Sequence, residues 1–167
     1  EVTNKEYREF TDWVTESVAR QILAEKYPEK YLTKDKSRLN VNTPIDWEDP
    51  HLVDKLFISS ERGGQLLNKE MITYSFNLGY MISYESNDSI IDSLAIFPEP
   101  KIYGDFYMPN KNLKWDYFNN PKYDDFPVVG VSWLQAMAYC SWRTNRLNEA
   151  MLIHEKIIET PFFDDEE

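Results

Sequence analysis

FPVVGVSWLQAMAYCSWRTNRLN, residues 126–148, is the stretch whose reading decides the fold. Val128, Val129 and Val131 are β-branched and predict a buried strand. Gly130 lets that strand bend or lets a neighbouring backbone come close. Ser132 then ends the strand and caps a helix, and Gln135 three residues later completes a capping-box pattern. Beyond the cap, Trp133, Ala136, Met137, Cys140, Thr144 and Leu147 recur at three- and four-residue steps. They predict the buried face of the helix. No Gly or Pro interrupts residues 131–149. The stretch reads as a core strand feeding a core helix, and it holds no nucleophile, base or phosphate loop.

Working outward, the chain has 167 residues, enough for one domain that buries roughly 70% of its unfolded surface. A 42% hydrophobic and 15% aromatic content marks an ordered, globular chain and excludes a disordered one. The formal charge is −11, which sets the chain against phosphate backbones and anionic membrane surfaces. A single cysteine excludes an internal disulfide. No apolar run approaches the length of a membrane span. The opening at Glu1-Val2-Thr3, without Met or signal-like region, reads as the interior of a longer protein. It carries no information on where that parent protein resides.

Thr3 and Glu6 form a second capping box, after Val2 at the end of a strand. Tyr7, Phe10, Val14, Val18 and Ile22 then line one stripe of an amphipathic helix that should fray by Tyr27, ahead of Pro28. Residues 28–50 read as a long surface connection pinned by Ile45 and Trp47. Its acidic residues Asp46, Glu48 and Asp49 read as a solvated turn, because a cation loop wants regularly spaced oxygen ligands and a Gly. Pro50–Leu56 predicts a short helix capped by Asp49, and Gly63-Gly64 a turn. Period-2 alternation from Ile72 to Tyr84 predicts a strand or a hairpin near residues 77–79, with a helix as the competing reading. Residues 94–97 and 101–108 read as two more short strands, 110–125 as a loop, and 151–158 as further helix.

Chemistry is sparse. Cys140 has no His or Lys within a helical turn and reads as a buried packing residue. His51 and His154 stand in no ligand-spaced motif, so no metal site is expected. Arg143 and Arg146 read as salt-bridging or hydrogen-bonding residues. Tyr103, Phe106, Tyr107 and Trp115 suit a core or interface, with sugar stacking as the lesser alternative.

Two stretches together resemble one family. Glu1-Val2-Thr3-Asn4 with Tyr7 and Phe10 is similar to the opening of the formylglycine-generating-enzyme/sulfatase-modifying domain. Phe126 through Trp133, followed by Ala136, Ala138, Tyr139, Cys140 and Trp142, is similar to that domain's second signature. The long spacing between them, the Trp142-Arg143-Thr144 triplet and Asn148 resemble the gliding-motility lipoproteins of the Bacteroidetes, K-type components of the type IX secretion ring.

The resemblance implies an α+β, C-type-lectin-like fold, with mixed helices around a twisted, mostly antiparallel sheet. Residues 1–167 would form one partial domain with an insertion at about 28–110. It further implies a lipid-anchored protein on the periplasmic side of the outer membrane, in a ring with an N-type partner and copies of itself. The family's enzymes place an Arg-Leu-Pro-Thr-Glu run after the second helix and two active cysteines late in the domain. This chain has neither, so no catalytic residue, cofactor or enzymatic role is expected of it. Thr3, Glu6, Gly130, Ser132, Gln135, Cys140, Trp142 and Arg143 are then structural, and Ile45, Trp47, Leu52, Leu56 and Phe57 of the insertion are candidate partner contacts, with cover of this domain's own core as the alternative. Two other readings stand beside this one: an oxidase of the formylglycine-generating type with its catalytic half outside this chain, and a carbohydrate-binding module.

Overall fold

Helix α1 (Asn4–Lys26) is the element on which the others pack. The computed structural model describes residues 1–60, 63–78, 90–99 and 117–158. At the start of α1 the Thr3 hydroxyl accepts the Glu6 N–H at 3.2 Å, and the Glu6 carboxylate accepts the Thr3 N–H at 2.9 Å. This satisfies two of the donors that a helix start leaves open. The expected stripe is buried at Tyr7, Phe10, Val14 and Ile22, and half-buried at Val18. The helix ends at Lys26, where the Tyr27 N–H returns to Leu23 O at 2.8 Å and Pro28 opens the short α2 (Pro28–Tyr31).

The connection after α2 is more firmly anchored than a surface loop. Tyr31 and Leu39 are buried, Leu32 and Leu39 form an antiparallel bridge, and the Tyr31 hydroxyl donates to Pro44 O at 3.3 Å. Asp49 then caps α3 (Pro50–Leu56) by accepting the His51 N–H at 2.8 Å. Leu52 and Leu56, one turn apart, are fully buried as α3 packs on α1. They belong to this chain's own core and not to a docking surface, which corrects the expectation for these two residues. Ile45 and Phe57 are half-buried against the same core, leaving Trp47 as the exposed member of that set.

Strands β1 (Phe57–Ser59) and β2 (Gln65–Leu67) form an antiparallel hairpin. It turns at the expected glycines, both at positive φ, with the Ser60 N–H donating to Gly64 O at 2.9 Å. Strand β3 (Thr73–Asn77) pairs antiparallel with β4 (Ile90–Ala95). The period-2 pattern holds here: Ile72, Tyr74 and Phe76 are buried while Ser75 is exposed. The predicted hairpin tip and the strand's continuation to Tyr84 lie outside the described residues. So do the strand predicted over 101–108, Tyr103, Phe106, Tyr107 and Trp115. The architecture is mixed α+β, with helices and small antiparallel sheets.

Residues 128–131 are not the buried strand that their β-branched run predicts. Val128 donates to Val2 O at 2.9 Å and Asn4 donates to Phe126 O at 2.8 Å, so the segment runs beside the start of α1 through an isolated bridge between Thr3 and Pro127. Gly130 then takes φ +80° and its carbonyl accepts the Glu99 N–H at 2.8 Å. The left-handed residue turns the chain before a ladder can form, and Val129 is left exposed.

Helix α4 (Trp133–His154) starts as expected. Ser132 Oγ accepts the Gln135 N–H at 3.2 Å and Gln135 Oε1 accepts the Ser132 N–H at 2.8 Å. Ser132→Ala should cost about 1 kcal/mol, read as a lower urea midpoint at unchanged slope. The buried face differs from the expected one. It consists of Ala138, Tyr139, Trp142 and Glu149, while Trp133, Ala136, Cys140, Thr144 and Leu147 are exposed. Tyr139 and Trp142 each offer roughly 150–250 Å² to the core, far more than Ala136, Cys140 or Thr144 on the opposite side, and the helix turns its aromatics inward. Of the predicted stripe only Met137 packs partly against the core.

Candidate interaction surfaces

Of the residues singled out from sequence, Tyr7, Phe10, Trp142 and Arg143 meet around the junction of α1, β3 and α4. Tyr7 stacks on Tyr139 at 5.6 Å between centroids, and Phe10 meets Tyr74 edge-on at 5.4 Å and Trp142 at 5.4 Å. The Tyr7 hydroxyl donates to Ile96 O at 2.9 Å inside the core, and burial pushes its phenol well above the ordinary range. Gln135 Nε2 donates to both Ala95 O and Phe97 O, tying the first turn of α4 to the end of β4. The Arg8 guanidinium bonds Phe118 O and the Asp124 carboxylate, and Asn4 Nδ2 reaches Tyr123 O at 2.9 Å. These contacts hold the loop of residues 117–126 against the start of α1.

Arg143 extends from α4 toward α1, with Nη1 donating to the Tyr139 hydroxyl at 2.9 Å and lying 3.5 Å from Glu6 Oε1. Arg146 pairs with the buried Glu149 at 2.7 Å and covers the Trp13 ring at 4.5 Å. Both arginines thus brace the α1–α4 junction. The Thr3 backbone N–H, then the Thr3 hydroxyl, hold the Glu6 carboxyl below the ordinary carboxylate range, and Arg143 adds to this. A depressed folded-state pKa contributes stability that is present above the unfolded value, about 4.3, and is lost as pH falls through the folded value. Urea titrations at neutral and acid pH should show a flatter acid limb for Glu6→Gln than for the parent chain, since glutamine keeps the cap without the titration.

The remaining chemistry-bearing residues stand apart from one another. His51 Nε2 lies 3.4 Å from Glu25, which also contacts Lys55, in an exposed cluster joining α3 to α1. His154 is exposed beside Glu155. Among the described residues, no group of three or more His, Cys, Asp or Glu is placed to hold a metal ion. No helix among them is long and apolar enough to cross a membrane. Cys140 is exposed, not buried as predicted, because it lies on the side of α4 turned away from Tyr139 and Trp142.

Among the described residues, the exposed large hydrophobic residues fall in two regions of the sequence. In the first, residues 47–71, they are Trp47, Ile58, Leu66 and Met71. Ile58 and Leu66 are direct cross-strand partners, 50% and 55% exposed, on the outer face of the β1–β2 hairpin. The second region is α4 with its flanking segments: Phe126, Val129, Trp133, Leu147, Met151 and Ile157. Sequence reasoning missed Ile58, Leu66 and Met71. The glycine turn at 63–64 was a usable signal, since it sets these short runs opposite each other.

The model of the sulfatase-modifying factor enzyme 1-like domain matches residues 1–151, from the capping box of α1 through most of α4. No curated protein and no solved structure matches the chain. The two stretches that suggested the family from sequence are the ones the fold joins, by the backbone bonds from Asn4 to Phe126 and from Val128 to Val2. The chain belongs to the family of the sulfatase-modifying factor enzyme 1-like domain.

Proposed function

We propose that this chain is a non-catalytic, structural member of its family that works through protein–protein contacts. Its place is among the K-type (GldK/PorK-like) components of the gliding-motility and type IX secretion machinery. In that reading it belongs to a lipid-anchored protein on the periplasmic side of the outer membrane, in a ring with an N-type partner and copies of itself. The observation that carries the reading is the outer face of the β1–β2 hairpin. A solvated hairpin face ordinarily holds polar side chains, yet here Ile58 and Leu66 pair across it in the open. The hairpin lies in the insertion between the two family motifs, as do Trp47 and Met71. The motif spacing and the Trp142-Arg143-Thr144 triplet support the branch, and the single cysteine leaves this chain without a thiol pair for oxidative chemistry.

The test is Ile58→Glu with Leu66→Glu in the full-length protein. Both side chains face outward, so circular dichroism and the melting temperature should hold. Loss of the partner protein from the purified complex supports the reading. Unchanged assembly, or turnover of a cysteine-containing sulfatase peptide by the purified protein, overturns it.

A further inference from the structure

We draw no further inference here: the strongest candidate, the Glu25–His51–Lys55 side-chain cluster that joins α3 to α1, is a largely solvent-exposed set of charges across a junction already held by the fully buried Leu52 and Leu56, so its titration has no element to switch.

Discussion

Phe10→Ala should lower the stability of the fold by about 3–5 kcal/mol, the largest loss expected of any single substitution here. Phe10 is fully buried on α1. Its ring meets Tyr7 at 5.6 Å, Tyr74 at 5.4 Å, Tyr139 at 6.0 Å and Trp142 at 5.4 Å. These partners come from α1, β3 and α4. Truncation removes the transfer free energy of a benzyl group and leaves a cavity between rigid rings that cannot collapse into it. The ring contacts are lost as well, each worth about 0.5–1.5 kcal/mol beyond area. Phe10→Leu keeps most of the volume and should cost less than half as much. The measurement is the urea midpoint of each variant at a common slope. A loss below about 1 kcal/mol for alanine would mean that the three elements do not meet at this ring.

Gly130→Ala should cost about 2–4 kcal/mol, from two separable causes. Its φ of +80° is strained for any side chain, at about 1–2 kcal/mol. A Cβ would also lie 2.6 Å from Glu99 O, a carbonyl that is part of the backbone and cannot swing aside. The Glu99 N–H bond to Gly130 O would lengthen as the two segments part. Gly63 supplies the control. It has a nearly identical φ of +81° and open space where a Cβ would stand. Gly63→Ala should therefore show the strain alone, and the difference between the two variants measures the close approach. Equal losses would show that the segments at 99 and 130 are free to separate.

The parts of the fold legible in the sequence are those decided within a few residues. Both capping boxes are of this kind: Thr3 with Glu6 and Ser132 with Gln135 need only a hydroxyl and a carboxylate or amide three residues on. The Asp49 cap of α3 and the glycine turn at 63–64 are equally local. The stripe of α1 was legible because Tyr7, Phe10, Val14, Val18 and Ile22 recur at helical spacing, although Leu23, on another side of the helix, is buried as well. On α4 both sides are apolar, and the choice between them is made by Tyr7, Phe10 and Tyr74 on other elements. Periodicity counts Cys140 and Ala136 equally with Trp142, whereas the core selects by ring area. The same limit misplaced Leu52 and Leu56: their spacing on a helix gives a face, and α1 decides that the face points inward. Residues 128–131 have the composition of a strand, but Gly130 gives its conformational freedom to a turn.

The backbone bonds between residues 2–4 and 126–128 have a consequence for how this chain could change its length over time. Asn4 and Tyr123 are hydrogen-bonded across 119 positions, so everything between them is one closed loop. The entropy of closing a loop rises only with the logarithm of its length, about 0.6 kcal/mol for each doubling. Once the join is made, tens of residues can be added or removed inside it at little thermodynamic cost, provided α1 keeps its partners. The burden falls on kinetics, because α1 and its capping box can form locally while the join to residues 126–128 waits for a segment more than a hundred positions away. The two motifs stay fixed as a seam, and the stretch between them is free to grow.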